Sequence, residues 1–200
     1  DLNGWHAYSK KDTGKAWKVN DKGEIYLDVS LKGDNWQVDK DLITNEAFAN
    51  YELKLDWKIG ACGNSGIIYN ITERADLDYP WLTGPEMQVL DNSCHPDAEL
   101  ESHRAGALYD MIPVSTTTVR PAGKWNRVRL VVTDGKVEHW LNGRKVVEYA
   151  NTGSEWAKLI QNSKFKDFGK DWGQSTSGQI SLQDHGDAVW FRNVKIRELR

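Results

Sequence analysis

The sequence predicts an all-β domain in which two antiparallel sheets pack face to face. Three observations support this prediction: short apolar runs recur along the whole chain, Gly, Asn and Asp separate them, and helix signals are sparse. At 200 residues, two curved sheets with about a dozen strands fit better than a small barrel. No linker, internal repeat or low-complexity tract divides the chain, so we treat residues 1–200 as a single domain.

The predicted strands follow one another with turn residues between them. They cover residues 24–31, 51–59, 66–71, 86–90, 127–133, 136–141, 179–183 and 189–196. Asp134-Gly135 is the strongest hairpin signal, because a two-residue turn of this kind needs positive φ at both positions. Asn142-Gly143 then turns the chain into a further strand at 145–148, which gives a three-stranded meander.

Three other segments carry local predictions. The Gly-rich segment 60–66 lacks the Lys and Ser/Thr of a phosphate loop, so we predict a tight, bulged turn that presents Asn64 and Ser65 at a sheet edge. Ser154 is predicted to cap a short helix that runs to Ile160. A second short helical turn is predicted at residues 46–49.

The composition excludes two classes of protein. Lys and Arg number 26 and Asp and Glu 29, and a formal net charge of −3 rules out a polycation that binds nucleic acid through its phosphates. No run approaches the about 20 apolar residues of a membrane-spanning helix. The number of Trp residues, ten, is unusually high for a chain of this length. Indole rings at a surface can stack on sugars; the alternative for each Trp is packing in the core of the sandwich.

The cysteines and the first residue are relevant to the cellular location of the protein. Cys62 and Cys94 are compatible with one disulfide in an exported protein or with two buried thiols. The chain starts at Asp1 without Met, from which we expect that a leader or another segment has been removed and that the protein is exported.

Two strands are predicted to carry polar rows that point away from the core. Glu86 and Gln88 share one face of their strand, about 6.5–7 Å apart, and the apolar residues Met87 and Val89 share the other face. Gln183 and His185 point outward together in the late strand. Burying an unpaired carboxylate or amide costs several kcal/mol, so both rows should face solvent or a cleft. If both strands belong to one sheet, the two polar rows can lie close together. The alternative is that these polar residues only cover a sheet face exposed to solvent.

Glu86, His185 and Lys164 are the candidates for catalysis. Glu86 can donate or abstract a proton, but its strand lacks the second acid of a paired-carboxylate glycosidase. His185 lies at a strand end, where its imidazole can point into a cleft. Lys164 follows the short helix and either neutralises an oxyanion or is simply solvated.

The other histidines have more ordinary interpretations. His139 lies within a strand and is expected to be a hydrogen-bonded core residue. His95 and His103 flank an acidic stretch, and with Asp91 they could hold a divalent metal; a mobile, solvated loop is the alternative.

Seven short motifs in one order carry a resemblance to a known family. They are the polar strands, residues 64–67, 123–126, 139–143, 163–165 and 182–187, and the closing run 191–196. In this order they resemble the 3-keto-disaccharide hydrolase family over nearly the whole chain, starting at residue 2. The resemblance implies a concanavalin A-like jelly roll with a sugar-sized groove, export by glycan-degrading bacteria such as Bacteroidetes, and action on glycosides oxidised to a ketone at C3.

The resemblance also implies the set of site residues. The family pattern places Glu86, Gln88 and Asp91 on the glutamate strand. It places Asn64 and Ser65 on the turn before that strand, and Gln183 and His185 on the late strand. Within this set we expect Glu86 and His185 to be base and acid, in either order. Lys164, or a divalent metal ion held by polar side chains, would stabilise an enolate. Gln88, Asn64 and Gln183 would hold hydroxyls, and Trp140 or Tyr109 would supply a stacking platform.

The expected reaction is elimination followed by hydration, because a C3 ketone acidifies the C2 proton and so makes the C1 substituent a leaving group. The expected partner is therefore a carbohydrate, with no nucleic acid and no membrane span, and no cofactor is firmly implied. Two alternatives remain: a non-catalytic carbohydrate-binding module of the same fold, and a conventional β-glucanase. The sequence does not indicate an oligomeric state.

Overall fold

The structure, a computed structural model, describes residues 1–199 and contains two antiparallel sheets packed face to face. The strands are β1 (Trp5–Ala7), β2 (Trp17–Val19), β3 (Ile25–Leu27), β4 (Leu42–Thr44), β5 (Phe48–Ala49), β6 (Tyr51–Ile59), β7 (Asn64–Ile71), β8 (Glu86–Leu90), β9 (Asn126–Thr133), β10 (Lys136–Leu141), β11 (Arg144–Ala150), β12 (Ser177–Leu182) and β13 (Val189–Glu198). One α-helix, α1 (Gly153–Gln161), and several 3₁₀ turns connect them. The predicted all-β sandwich is confirmed.

The order of the strands brings the two polar rows together. The six-stranded sheet has the order β1-β4-β12-β7-β8, with β5 pairing with β12, and the seven-stranded sheet has the order β11-β10-β9-β6-β13-β3-β2. In the first sheet only β7 separates β8, which carries Glu86, from β12, which leads to Gln183. Both rows therefore belong to one sheet.

The main core lies between the sheets, and alternation along each strand decides which side chains enter it. Met87 and Val89 of β8 are fully buried there beside Ile67 of β7 and Leu53 of β6. Each such side chain contributes about 1.5–3 kcal/mol when it leaves water. Because side chains alternate along a strand, this packing leaves the flanking polar residues of β8 on the other face of the sheet.

The two predicted hairpins are confirmed. Asp134 and Gly135 have φ of 49° and 74°, and Asn142 and Gly143 have φ of 50° and 85°. These left-handed conformations are those of the tight turns that match the twist of paired strands. Strands β9, β10 and β11 form the expected meander.

Two local predictions are wrong, and a third is shifted along the chain. Residues 46–49 form no helical turn, because Phe48 pairs in a ladder with Gly178 of β12. The predicted short helix is present, but its N-cap is Thr152, two residues before the predicted cap, and the Thr152 side chain makes no capping bond. Asn64 and Ser65 begin β7, which lies inside the sheet between β8 and β12 and not at its edge.

The strand predicted at residues 24–31 is shorter in the structure. It ends at Leu27, because Asp28 accepts a hydrogen bond from the Ser30 N–H and caps the 3₁₀ turn Val29–Leu31. The local capping interaction thus ends the strand.

The two cysteines form a disulfide. The Cys62–Cys94 bond joins the turn before β7 to the turn after β8, with the two Cα atoms 4.7 Å apart. Asp91 reinforces the same junction, because its Oδ2 accepts the Cys62 N–H at 2.9 Å. Among residues 1–199 no helix combines the length and apolarity needed to cross a membrane.

Candidate active site

A pocket of about 240 Å³ opens on the face of the six-stranded sheet that is turned away from the seven-stranded sheet. Its lining residues are Trp36, Asn64, Trp81, Glu86, Gln88, Tyr109, Lys164, Phe165, Gln183 and His185. Residues of β7 and β8 and those that follow β12 form its floor, and four loops supply its walls. Seven of the ten residues that the sequence identified as site candidates are among them.

Glu86 is the single carboxylic acid among the pocket-lining residues of the described chain, and it is 6% exposed. Burial raises the pKa of Glu86 to about 8. Lys164 opposes this increase with its positive charge, and the carboxylate of Asp97 adds to it. The Glu86 carboxyl is therefore mostly protonated at neutral pH, and it can change its proton near the pH at which an enzyme works.

Two buried amide oxygens in the pocket have no hydrogen-bond partner. Asn64 Oδ1 and Gln183 Oε1 are inaccessible to solvent and accept no hydrogen bond within the described structure. Buried acceptors in native proteins are almost always paired, so this arrangement favours a ligand that brings hydroxyl donors. The neighbouring amide of Gln88 is also buried, and its Oε1 accepts the Val89 N–H at 3.0 Å.

His185 is a half-buried imidazole on the rim of the pocket. Its ring meets the Trp36 ring edge-on with centroids 5.4 Å apart, and the His95 ring lies at 6.3 Å. Burial lowers the pKa of His185, while the carboxylate of Asp187, 3.9 Å from Nδ1, opposes that decrease. A neutral imidazole is thus favoured at neutral pH.

Lys164 reaches the pocket from the 3₁₀ turn Lys164–Asp167. Ser163 caps this turn by accepting the Phe165 N–H, and Asp110 Oδ2 accepts the Lys164 N–H at 2.7 Å. The ammonium group lies 4.2 Å from the centre of the Tyr109 ring. The segment is therefore anchored by its backbone, which leaves the charged end of Lys164 facing the pocket.

Tyr109 lies between this cation and an acid. Its hydroxyl donates to Asp97 Oδ2 at 3.4 Å, and burial raises the pKa of the phenol. The Tyr109 hydroxyl is therefore protonated at neutral pH.

Aromatic residues on loops form a wall that the sequence analysis did not assign to the site. Trp36, Trp81 and Phe165 line the pocket. Trp81 stacks on Tyr79 with centroids 5.1 Å apart, and Tyr79 contacts Trp36 at 5.4 Å. Only the high Trp content pointed toward such rings, because loop residues have no periodicity from which a direction can be inferred.

Three predicted site residues lie outside the pocket lining. The Ser65 hydroxyl donates to the Gln183 carbonyl at 2.8 Å, and thus holds β7 against the chain that follows β12. Asp91 Oδ1 accepts the N–H and the hydroxyl of Ser93, and these bonds, with the Cys62 N–H, lower its pKa against the effect of burial. Trp140 lies in β10 of the other sheet.

The remaining histidines are held by protein groups. Within residues 1–199 no three His, Cys, Asp or Glu side chains converge in a way that could hold a metal ion. His103 Nε2 lies 2.8 Å from Asp110 Oδ1 and does not form a group with His95 and Asp91. His139 is fully buried and hydrogen-bonded, as predicted.

Comparisons with known proteins agree with the fold and show the family. Residues 1–197 match the family model described as the 3-keto-alpha-glucoside-1,2-lyase-like domain. The chain is 36% identical to a 3-keto-disaccharide hydrolase from Bacteroides thetaiotaomicron. The alignment is 221 positions long and covers 99% of this chain and 75% of that protein.

Solved structures show the same architecture. A candidate glycosyl hydrolase from Parabacteroides distasonis superposes with a TM-score of 0.87 at 35% identity, over 100% of this chain and 90% of that one. A Bacillus licheniformis β-glucanase has a TM-score of 0.55 at 8% identity, over 99% of this chain and 94% of its own, which shows the fold alone. The expected jelly-roll sandwich is confirmed.

Proposed function

Since the chain belongs to the 3-keto-alpha-glucoside-1,2-lyase-like family, we propose that it cleaves the glycosidic bond of sugars that carry a ketone at C3. The observation that supports this best is the buried carboxyl of Glu86, the one acid among the pocket-lining residues described. A conventional glycosidase needs two carboxyl groups roughly 5–10 Å apart, whereas elimination next to a ketone needs a base, an acid and a stabilised enolate.

The reaction proceeds in two stages. A base removes the C2 proton, the electrons of the C–H bond form an enolate with the C3 ketone, and the C1–O bond then breaks as the leaving oxygen takes up a proton. Water adds to the resulting C1–C2 double bond, so that the net result is hydrolysis. In this proposal Lys164 stabilises the negative charge on the C3 oxygen, which is the kind of preorganised electrostatic contribution that is often the largest in catalysis.

The protonation states favour one assignment of acid and base. At neutral pH the carboxyl of Glu86 holds its proton and the imidazole of His185 is neutral, because burial acts on both pKa values. We therefore assign His185 as the base that removes the C2 proton and Glu86 as the acid that protonates the leaving oxygen. Asn64 and Gln183, whose buried oxygens lack partners, accept hydrogen bonds from sugar hydroxyls.

Substrates with different leaving groups test this assignment. Methyl 3-keto-glucosides of both anomers require an acid, whereas 4-nitrophenyl 3-keto-glucosides do not, because 4-nitrophenolate is a weak base. We expect Glu86→Gln to slow the methyl glycosides by about 10²–10⁴-fold and the 4-nitrophenyl glycosides far less, and His185→Asn to slow both. Glu99→Gln, an exposed acid outside the pocket, is the matched control.

Proton exchange separates the proposed function from its rivals. In D₂O, wild type and Glu86→Gln should exchange the C2 proton of a 3-keto-glucoside, and His185→Asn should not. Cleavage of an unoxidised glucan without C2 exchange would identify a conventional β-glucanase and contradict the proposal. Sugar binding without turnover or exchange would identify a carbohydrate-binding module and would contradict it equally.

We also propose that the protein works outside the cytoplasm, in an oxidising compartment. The Cys62–Cys94 disulfide supports this location, because such bonds persist mainly in exported proteins. Cell fractionation with alkylation of free thiols tests it. Protein found in the cytoplasm with both thiols reduced would contradict the proposal.

A further inference from the structure

A second groove lies on the outer face of the seven-stranded sheet, on the opposite side of the molecule from the candidate active site. It has a volume of about 540 Å³, and its walls include Lys54, Arg127, Arg129, Trp140 and Lys195. A smaller pocket of about 220 Å³ shares Asp56, Arg127 and Gly143 with it and extends it to Trp125. We call these two connected pockets the outer-face groove.

The first carboxylate in this region is covered by cations. Glu52 has a side chain only 6% exposed and forms ion pairs with Arg129, with Lys54 at 2.9 Å and with Arg197 at 3.2 Å. Lys54 and Arg197 are 54% and 69% exposed. One buried negative charge therefore meets three positive charges, two of which remain largely in solvent.

Asp56 repeats this arrangement four residues further along β6. Its side chain is 11% exposed and contacts Arg192 at 3.2 Å and Arg127 at 3.7 Å. It also accepts a hydrogen bond from Asn193 Nδ2 at 2.8 Å, and Arg127 is 82% exposed. The surface of the groove is thus cationic and its carboxylates lie underneath, although the whole chain carries a net charge of −3.

A β-bulge shapes the floor of the groove. The register between β13 and β6 shifts between Arg192 and Lys195, and Asn193 adopts a left-handed conformation with φ of 55°. Bulges bend a strand and redirect its side chains. Here the bulge brings Asn193 and Lys195 to the groove opposite Arg127 and Arg129 of β9.

Indole rings lie at both ends of the groove. Trp140 is held by its N–H, which donates to Glu138 Oε2 at 2.7 Å, and the Arg129 guanidinium lies 5.1 Å from its centroid. Trp125 lies 4.0 Å from the Arg192 guanidinium. The groove therefore combines flat amphipathic rings, which suit the C–H faces of sugars, with arginine groups that suit planar carboxylates.

We propose that the outer-face groove binds a polysaccharide chain that carries carboxylate groups, as uronate sugars do. The guanidinium groups of Arg127 and Arg129 contact carboxylates, and Trp140 and Trp125 contact sugar rings. The groove binds without cleaving, because its buried carboxylates, Glu52 and Asp56, are both engaged in ion pairs with the surrounding cations. The sequence analysis predicted Trp140 or Tyr109 as the stacking platform of the active site; in this proposal Trp140 instead stacks on sugar rings in the outer-face groove.

Native gel electrophoresis of the full chain through polygalacturonate tests the proposal, with fully methyl-esterified polygalacturonate as the uncharged control. We expect the wild type to be retarded by the acidic polymer only, and less so as salt rises. Arg127→Ala/Lys195→Ala should weaken binding about tenfold, because each exposed ion pair contributes up to about a factor of five. Trp140→Ala should weaken it as well. Lys11→Ala/Lys22→Ala, which removes two exposed charges elsewhere, should bind like the wild type.

The outcomes decide between three explanations. Equal retardation by the methyl ester, or unchanged binding by both groove variants, overturns the proposal. Equally tight binding of double-stranded DNA identifies a general polyanion surface and overturns the assignment to carbohydrate. The result is independent of the proposed function, because Arg127→Ala/Lys195→Ala should cleave a small 3-keto-glucoside at the wild-type rate whether or not the groove binds.

Discussion

The carboxyl group of Glu86 occupies the space left by the missing side chain of Gly66. A Cβ at residue 66 would overlap Glu86 Oε1 and lie 2.6 Å from the carboxyl carbon. Gly66 lies in β7 opposite Gln88 of β8, so the acid leans from its own strand across the neighbouring one. The glycine is needed here for space, because its φ is not among the positive values found elsewhere in the chain.

Gly66→Ala should therefore displace the Glu86 carboxyl and reduce cleavage of a methyl 3-keto-glucoside by about a hundredfold, since a misplaced catalytic group costs roughly this much. The added methyl group should also destabilise the fold by about 1–3 kcal/mol through overpacking. Steady-state kinetics and urea unfolding measure both effects. Gly33→Ala is the control, because nothing lies within 4 Å of its added Cβ. Wild-type kcat/KM in Gly66→Ala would contradict this role of the glycine.

Strands whose signals are local were predicted closely. The predicted ranges 51–59, 86–90 and 136–141 coincide with β6, β8 and β10, because alternation and turn residues within each segment determine them. Alternation also gave the direction of Glu86 and Gln88. That the two polar rows meet depends on the order of strands in the sheet, which no periodicity reveals, and the family resemblance was needed to expect it.

The walls of the pocket and the position of Trp140 depend on long-range structure. Trp140 lies between the buried residues His139 and Leu141, so alternation turns it away from the core, but alternation does not show which of the two sheets carries it. Trp36 and Trp81 lie on loops, where neighbouring residues say nothing about direction. Asp91 is of a residue type that often binds ligands, yet its Oδ1 accepts hydrogen bonds from Ser93 in the adjacent turn. Short polar side chains often form such local hydrogen bonds to the backbone nearby.

The raised pKa of Glu86 links stability to pH. An ordinary glutamate titrates near 4.5, whereas burial raises the pKa of Glu86 to about 8, so the fold favours the protonated form. The contribution is complete below pH 4.5 and is lost as pH rises through about 8, with a size of several kcal/mol. Glu86→Gln should lose less stability than the wild type between pH 5 and pH 9, as measured by urea unfolding. Parallel curves for the two proteins would show that folding does not raise the pKa of Glu86.

Removal of the charge on Lys164 should raise the pKa of Glu86 further. The ammonium group favours the carboxylate by direct attraction, so Lys164→Met should move the titration of Glu86 above about 8. Carbon-13 NMR of the Glu86 carboxyl measures this without relying on activity. Lys166→Met, whose side chain does not line the pocket, is the control. A downward shift, or none, would remove Lys164 from the electrostatics of the site.

His139 should make the protein sensitive to acid. Its Nδ1–H donates to the Gly106 carbonyl at 3.0 Å, and its Nε2 accepts from the Tyr69 hydroxyl at 2.7 Å, so the neutral ring is fully paired. Burial lowers its pKa from 6.5 to about 4. Its contribution is therefore present above pH 6.5 and is lost toward pH 4, by about 3 kcal/mol. His139→Gln should unfold with a shallower pH dependence in this range. An unchanged slope would mean that folding does not lower the pKa of His139.

The Cys62–Cys94 disulfide should support both stability and sugar binding, because the turn that it anchors leads directly into Asn64 at the pocket floor. It closes a segment of 32 residues, and a crosslink of this length contributes about 4 kcal/mol. Cys62→Ser/Cys94→Ser should lose this amount in urea unfolding and should raise KM for a 3-keto-glucoside more than it lowers kcat. A phosphine reductant should reproduce both effects in the wild type and leave the double variant unchanged. If the reductant lowers the stability of the wild type and of the double variant equally, its effect does not come from this disulfide. The proposal that the disulfide supports Asn64 is then wrong.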